Sequence, residues 1–353
     1  MAPIPPNHLP RIIVYHQTHH DPDTGAHISI LPLITRPGIR LTHLILAAVH
    51  INEDPEAAPP TNPPSPPQLT LNDHPPSHPR FLPLFSELRT LQRHSIPILA
   101  LLGGAARGTF SRLDGPPSQF ETYYQPLAAF LRNHHLDGVD LDVEEPMSLA
   151  GIIRLIDRLR ADFGAGFIIT LAPVAAALVS GGGNLSGFGY ADLERERGGE
   201  VAWYNAQFYC GWGEVWRRGM WEAVVGGSCG GWGRGRVVVG LVTRWNGGGW
   251  VPWEVLAGVL MARAGEGGAF GGVMGWEYFN SLPGGRAAPW EWAAWMTVLL
   301  GGGETQQAII GGGDGEVTKG VIDAASEADP DEDGRPAVVP GDFAYHSDGL
   351  EEE

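Results

Sequence analysis

Residues 137–144 read Asp-Gly-Val-Asp-Leu-Asp-Val-Glu, and this octapeptide decides how the rest of the chain is interpreted. Its last three acidic residues, Asp140, Asp142 and Glu144, alternate with valine and leucine. Successive side chains of a β-strand point to opposite faces, so the pattern predicts three carboxylates on one face, spaced about 6.5–7 Å apart. Carboxylates this close cannot all ionise cheaply in a partly buried site, and one of them keeps its proton near neutral pH. A carboxyl group of that kind suits general acid catalysis.

Two other interpretations of the octapeptide are weaker. A solvated strand face normally mixes charge signs and includes serine, threonine or lysine, whereas this face carries only carboxylates. Hard cations also bind clustered carboxylates. No loop of regularly spaced Asp, Asn and Gly surrounds this cluster, so we expect neither a metal nor a cofactor here.

The charge of the chain is unevenly distributed. The 353 residues carry a formal net charge of −17. Residues 314–353 contain 13 acidic and two basic residues, a net charge of −11. The body of the chain is therefore only mildly acidic and has no basic patch that could hold phosphates, which argues against nucleic-acid binding. The acidic end is typical of a disordered, solubilising segment.

The first residues and the cysteines predict a cytoplasmic monomer. The start of the sequence has neither a basic region nor an apolar region of a secretory signal. No apolar run approaches 18 residues, so we expect no membrane span. Cys210 and Cys229 do not form a disulfide framework, and reduced thiols are the default without export.

Short apolar runs alternate with helical patterns along the chain. Continuous apolar runs suit parallel strands that are buried on both faces. Eight such runs in about 300 residues predict a (β/α)₈ TIM barrel. The runs lie at residues 12–15, 44–49, 98–102, 137–144, 167–174, 202–209, 237–242 and 270–276. Helical patterns include residues 81–92, 123–133, 149–163 and 290–300.

Two stretches do not fit the compact core of this barrel. Residues 53–80 are rich in proline and predict a rigid, extended loop insertion after the second strand, or a poorly ordered one. A glycine-rich hinge precedes the acidic end. We therefore predict a barrel domain over residues 1–303, with the insertion at 53–80, and a disordered acidic tail over residues 304–353.

The octapeptide resembles the DxxDxDxE signature of family 18 glycoside hydrolases, the chitinases and related endo-N-acetylglucosaminidases. Other segments are similar to the family in the expected order, including the paired glycines of residues 101–104 and Ala-Pro at 172–173. Residues 207–209 resemble the Gln-x-Tyr of plant- and fungal-type members, and residues 274–278 contain the expected tryptophan. The resemblance covers roughly residues 10–300.

Three residues depart from the family pattern. Leu101 replaces the usual serine before the paired glycines, which removes a polar side chain near Asp140. Cys210 stands where asparagine is frequent, and Glu145 stands where many chitinases have an aromatic residue. The final glutamate, which inactive lectin-like members lose, is retained as Glu144.

The resemblance implies a role for each residue of the motif. Glu144 would protonate the glycosidic oxygen, Asp142 would turn from Glu144 to the substrate's acetamido nitrogen, and Asp140 would help Asp142 to hold its proton. The nucleophile would be the substrate's own N-acetyl carbonyl oxygen, a recognised exception to the two-carboxylate scheme. Tyr209 would hold the N-acetyl arm, with Gln207 beside it.

Three aromatic positions complete the predicted site. Trp276 would form the floor of the −1 subsite, which holds the sugar whose bond breaks, because a flat ring suits the apolar face of a pyranose. Tyr15 would line the pocket, although an ordinary core role fits equally well. Trp212 fits subsite and packing roles equally, and Trp290, Trp292 and Trp295 fit core packing.

Histidines near the predicted barrel mouth allow a metal only weakly. His16, His19, His20 and His50 follow the first two strands. Imidazole suits zinc, but this spacing matches no tight zinc motif. Polar loop residues that contact sugar are the favoured interpretation.

The resulting hypothesis is a retaining hydrolase of β-1,4 bonds between N-acetylglucosamine units in chitin or chito-oligosaccharides. One alternative is an endo-β-N-acetylglucosaminidase acting on the chitobiose core of N-glycans. Another is a carbohydrate-binding protein with negligible turnover. In each case the expected partner is an N-acetylglucosamine-containing saccharide.

Overall fold

Eight parallel β-strands close into a barrel in the computed structural model, which describes residues 9–52, 68–226, 232–245, 248–265 and 269–301. The strands are β1 (Arg11–His16), β2 (His43–Asn52), β4 (Ile98–Gly103), β5 (Gly138–Asp142), β6 (Ile168–Leu171), β7 (Tyr204–Gln207), β8 (Val237–Val242) and β9 (Gly272–Trp276). Pairing of β1 with both β2 and β9 closes the ring. The predicted (β/α)₈ barrel is therefore confirmed.

Helices surround the barrel on its outside. The α-helices are α1 (Pro32–Thr35), α2 (Leu82–Arg93), α3 (Thr109–Leu113), α4 (Pro117–Asn133), α5 (Leu149–Phe163), α6 (Tyr190–Arg197), α7 (Arg218–Gly226), α8 (Trp253–Gly265) and α9 (Glu291–Leu300). Short 3₁₀ turns lie at Pro79–Phe81, Ala175–Leu178, Gly198–Glu200 and Arg234–Arg236. Within the described residues, no helix has the length and apolar character that crossing a bilayer requires.

A ninth strand was not predicted from the sequence. Residues Gln68–Leu71 form β3, which pairs antiparallel with the second half of β2. The prediction of an extended loop over residues 53–80 is thus wrong for this part, because Leu69 and Leu71 are buried. Residues 53–67 of the insertion and the predicted tail at 304–353 lie outside the described residues, and the domain division stays a prediction.

Alternating side chains divide the core into two layers. In β4, Leu99 and Leu101 point into the barrel, whereas Ile98, Ala100 and Leu102 pack in the layer between strands and helices. This follows from the two-residue repeat of a strand. Both faces of each strand are therefore apolar where no catalytic group is needed, as the continuous apolar runs predicted.

Two features of sequence fix β5 and the helix that follows it. Gly138 has no room for a Cβ because the carbonyl oxygen of Ile168 on β6 lies against it, so only glycine fits. After the strand, Ser148 caps α5 by accepting a hydrogen bond from the Gly151 amide at 3.0 Å. The helix ends at Gly164, whose φ of 78° is in the left-handed region. The acidic strand end is thereby held at the carboxyl-terminal mouth of the barrel.

Candidate active site

The three carboxylates lie at the carboxyl end of β5, where the sites of such barrels form. Asp140 and Asp142 belong to the strand, which ends at Asp142, and Glu144 follows two residues later. Asp140 and Asp142 are buried, and Glu144 is half-buried. The expected alternation therefore brings all three acids to one side of the mouth, although only two of them are within the strand.

Asp140 lies deepest and accepts hydrogen bonds from three side chains. The hydroxyl of Tyr15 donates to Oδ2 at 2.6 Å. Thr170 Oγ1 and Asn205 Nδ2 donate to Oδ1 at 2.5 and 3.1 Å. Burial raises the pKa of Asp140 above its ordinary value, although these three donors oppose the shift. The three donors stabilise the ionised form of the carboxyl group against the effect of burial.

Tyr15 fits the core role that the sequence allowed beside pocket lining, and a substrate contact stays a prediction. Its side chain is 1% exposed, and its hydroxyl is occupied by Asp140. Its ring meets that of Trp276 edge to face, with 5.6 Å between centroids. Tyr15 therefore supports both Asp140 and Trp276 from below the pocket.

Asp142 and Glu144 form a coupled pair that shares a hydrogen bond. Burial raises the pKa of Asp142 well above its usual value, and the charges of Glu144 and Asp140 raise it further. Burial also raises the pKa of Glu144. The pair therefore retains a proton at a pH where an exposed carboxyl group has lost it.

Gln207, at the end of β7, contacts both members of this pair. Its Nε2 lies 3.1 Å from Asp142 Oδ1, 3.1 Å from Glu144 Oε1 and 3.0 Å from the carbonyl oxygen of Ala172. An amide NH₂ has two hydrogens, so these three acceptors share them. Gln207 thus orients the acids and is tied to the end of β6 through Ala172.

Tyr209 and Trp276 lie at the carboxyl ends of two other barrel strands, β7 and β9. Tyr209 follows β7, is 8% exposed and belongs to the same inner-barrel cluster as Tyr15. Trp276 is the last residue of β9 and is half-buried, and its peptide bond to Glu277 is cis. A small part of Tyr209 and a larger part of the indole thus remain open to a ligand at the mouth.

Trp212 is further from the carboxylates along the loop after β7. Its ring packs on the backbone of Gly183, where a Cβ would lie 2.7 Å from Cζ3. Its amide donates to the carbonyl of Tyr209 at 3.1 Å. The packing role accounts for the ring position, and a subsite role for Trp212 stays a prediction.

Two buried contacts that sequence reasoning missed hold the backbone on both sides of Glu144. The carboxylate of Glu145 accepts hydrogen bonds from the amides of Gly108 and Phe110 at 2.9 and 2.6 Å, at the start of α3. Ser186 Oγ donates to the carbonyl of Val143 at 2.7 Å. Glu145 therefore replaces an aromatic residue with a helix-end anchor. The acidic residue next to the motif was the one available signal for this role.

Glu277 is a further missed residue. Its Oε2 accepts from the amides of Gln17 and Thr18 at 2.8 Å each, and its Oε1 accepts from the Thr18 hydroxyl at 2.6 Å. This carboxylate ties the end of β9 to the loop after β1. It thereby fixes the backbone next to Trp276.

The departures at Leu101 and Cys210 leave the acid network intact. Leu101 is buried and is paired with Asp140 in the register of β4 and β5. Asp140 still accepts hydrogen bonds from Tyr15, Thr170 and Asn205. Cys210 is a free, exposed thiol with φ of 54°. Burial, and then the charge of Glu144, raise the pKa of this thiol.

The histidines after β1 pack with aromatic rings. His16 and His19 are buried with 4.9 Å between ring centroids, and burial lowers the pKa of His19 to about 3. His16 also packs against Tyr278. In the described ranges, no group of three or more His, Cys, Asp or Glu side chains is arranged to hold a metal.

Comparison with known proteins identifies this arrangement. The family model described as glycosyl hydrolases family 18 matches residues 11–186, which include β1 through β6 and all three carboxylates. The chain belongs to glycoside hydrolase family 18. This confirms the resemblance drawn from the octapeptide.

Two solved structures are similar over almost their whole length. A fungal endo-β-N-acetylglucosaminidase of family 18 is 46% identical, with a TM-score of 0.76, and the match covers 83% of this chain and 98% of that one. A chitinase from Aspergillus fumigatus is 51% identical, with a TM-score of 0.71, and the match covers 82% of this chain and 98% of that one.

A curated relative is more distant. Endochitinase 4 from Metarhizium robertsii is 26% identical over 208 residues, which is 52% of this family 18 chain. The match spans 57% of that relative's own length.

Proposed function

We propose that this family 18 protein hydrolyses β-1,4 bonds between N-acetylglucosamine units of chitin or chito-oligosaccharides, with retention of configuration. The observation that carries the proposal is the coupled pair of Asp142 and Glu144, held by Gln207 at the barrel mouth. Protein-nucleophile glycosidases need two carboxyl groups that flank the scissile bond. Here the two acids that share a proton are neighbours on one strand end, which suits a nucleophile that belongs to the substrate.

Before substrate binds, Asp142 and Glu144 share a proton in their mutual hydrogen bond, and burial raises the pKa of both carboxyl groups. An acetamido N–H that donates to Asp142 favours the ionised form of that carboxylate. The proton then moves to Glu144, which can donate it to the glycosidic oxygen. Substrate binding therefore places the proton on Glu144, the group that protonates the glycosidic oxygen.

Bond cleavage follows from this proton transfer. Glu144 protonates the leaving oxygen while the acetamido carbonyl oxygen attacks C1, giving an oxazolinium ion and an ionised Glu144. The negative charge of Asp142 stabilises the developing positive charge on the acetamido group. Glu144 then removes a proton from water, the water oxygen attacks C1 from the face that the leaving group left, and the β configuration is restored.

Neighbouring side chains align the acetamido group for attack. Tyr209 follows Gln207 by two residues, and its hydroxyl would donate to the acetamido carbonyl oxygen and hold it in a near-attack geometry. The indole of Trp276 supports the apolar face of the −1 sugar. The charge of Asp140 adds to burial and to the charge of Glu144 in raising the pKa of Asp142.

A second candidate reaction is endo-β-N-acetylglucosaminidase cleavage of the chitobiose core of N-glycans. It is favoured by the 46% identity to a fungal enzyme of that name over 98% of its length. The bond and the catalytic groups would be the same, and only the sugars outside the −1 subsite would differ. Binding of saccharide with negligible turnover is a third possibility, against which retention of Glu144 argues.

Hydrolysis of two substrates separates these candidates. Chitotetraose and a glycan that carries the chitobiose core are incubated with wild type and with Glu144→Gln. The proposal expects cleavage of chitotetraose that the variant loses while it still binds the oligosaccharide. Cleavage of the glycan alone would favour the second candidate, and binding of chitotetraose without cleavage of either would favour the lectin.

A further inference from the structure

The loop between β8 and α8 carries a tryptophan whose side chain is unusually exposed. Trp245 is 74% exposed, and of the twelve tryptophans only Trp245 and Trp295 are exposed. Tryptophan buries more apolar surface than most side chains when it is packed, so exposure forgoes a large stabilisation. Among the described residues, no ring or cation stacks on its indole.

The first end of this loop is fixed to the floor of the −1 subsite. The amide of Thr243 donates to the carbonyl of Trp276 at 2.9 Å, and its hydroxyl donates to the carbonyl of Glu277 at 2.7 Å. Trp245 follows Thr243 by two residues. Its Cα therefore lies within about 7 Å of the Cα of Thr243.

The other end is fixed to the wall that contains Tyr209. The amide of Cys210 donates to the carbonyl of Gly248 at 2.8 Å. At Gly249, with φ of 91°, a Cβ would lie 2.9 Å from the Cα of Tyr209, so the loop backbone packs directly on that residue. Gly248 follows Trp245 by three residues, which limits their Cα separation to about 11 Å.

The loop thus runs from the residue below the −1 sugar to the residue beside its acetamido group. The two chain-length limits place the Cα of Trp245 near both of these residues, and its indole is exposed to solvent there. A pyranose ring of N-acetylglucosamine has an apolar face of C–H groups, and a flat aromatic ring is the surface that binds such a face while the hydroxyl groups stay in water.

We propose that Trp245 is the stacking platform for an N-acetylglucosamine unit next to the one held in the −1 subsite. This binding role rests on the proposed function for the class of its ligand. Trp245 would contact a second sugar of an oligosaccharide, whereas the carboxylates act on the −1 sugar and on the bond that is cleaved. Its loss weakens binding of chains long enough to reach the indole and leaves the chemistry of the acids unchanged.

The test measures binding of chitohexaose to variants, and hydrolysis of chitohexaose by wild type is measured separately. Binding of chitohexaose is measured by calorimetry in the Glu144→Gln background, with Trp245→Ala, Trp245→Phe and the control Trp295→Ala. Trp295 is 45% exposed on α9 and packs beside Trp253, the first residue of α8. Trp245→Ala is expected to weaken chitohexaose binding about 5- to 20-fold, Trp245→Phe to retain most of the affinity, and Trp295→Ala to change it less than twofold.

The outcomes distinguish a failed subsite from a failed function. Chitohexaose affinity within twofold of the parent in Trp245→Ala, or an equal loss in Trp295→Ala, overturns the platform even if wild type hydrolyses chitohexaose. A selective loss in Trp245→Ala supports the platform even if wild type shows no turnover, and in that case only the hydrolase assignment fails. Unchanged melting temperatures in the variants establish that folding does not account for the loss.

Discussion

Gln207 Nε2 lies 3.1 Å from Glu144 Oε1, and the same nitrogen lies 3.1 Å from the carboxylate of Asp142. A donor shared by two coupled acids stabilises their charged forms, and it lowers the pKa of each against the raising effect of burial. By lowering the pKa of both carboxyl groups, Gln207 makes transfer of the shared proton to a substrate more favourable.

Replacement of Gln207 by leucine should shift the alkaline limb of the kcat/KM profile to higher pH. Without the amide donor, both carboxylates hold their proton more tightly, so loss of the acid form needs a higher pH. We expect a fall of about 10- to 100-fold in kcat from misorientation of the pair. A pH profile on chitotetraose checks this, and an unshifted or acid-shifted limb would contradict the assigned role.

Replacement of Asp140 by asparagine should shift the alkaline limb of the kcat/KM profile to lower pH. The charge of Asp140 raises the pKa of Asp142. Without this charge the pair loses its proton at lower pH, so activity declines earlier as pH rises. The matched control is Tyr15→Phe, which removes one donor to Asp140 and retains the carboxyl group. An equal acid shift in both variants would argue against an electrostatic cause.

The acid pair should reduce the stability of the folded protein at neutral and alkaline pH. Folding raises the pKa of Asp142 and of Glu144, so the folded state binds more protons than the unfolded state once pH exceeds their ordinary values. Stability is then lost as pH rises toward the folded-state pKa. Glu144→Gln should therefore raise the melting temperature at pH 8 by about 2–6 °C and change it little at pH 3.

Calorimetric scans of wild type and Glu144→Gln at the two pH values test this linkage. The exposed Glu196→Gln provides a control that should change neither value. Equal stabilisation at both pH values would show that the effect arises from packing and has no titration component.

Glu145 should matter for both stability and catalysis. Glu145→Ala leaves the buried amides of Gly108 and Phe110 without an acceptor, which should cost about 2–4 kcal/mol of unfolding free energy. The loosened backbone next to Glu144 should also lower kcat while KM changes little. Glu145→Gln keeps one acceptor oxygen and should recover part of both losses. Denaturant titration and steady-state kinetics measure them, and full activity of Glu145→Ala would exclude the positioning role.

Local sequence patterns were sufficient to predict the barrel and the acid cluster. The two-residue alternation around Asp140 and Asp142 is a property of the strand itself, and the Gly138 position depends only on close strand packing. The role of Tyr15 was not predictable, because its hydroxyl meets a carboxylate 125 residues away in the chain. Glu145 and Ser186 likewise act through tertiary contacts that local periodicity does not encode.

The strand β3 was missed for a related reason. Its four residues follow a proline-rich stretch and are too short to show a strand repeat. Their pairing depends on the long extension of β2 beyond the barrel. The exposure of Trp245 was not predictable either, because it depends on how its loop lies on the barrel and not on the composition of the loop.

In the proposed mechanism the substrate supplies its own nucleophile, and Asp142 and Glu144 supply the proton for the leaving oxygen. The most direct test compares the rate of chitotetraose hydrolysis with that of the same tetrasaccharide lacking its acetyl groups, using wild type and Glu144→Gln. We predict that wild type cleaves only the acetylated chain and that Glu144→Gln loses this activity by at least about 10³-fold. Comparable cleavage of both chains, or unchanged activity in Glu144→Gln, would contradict the mechanism.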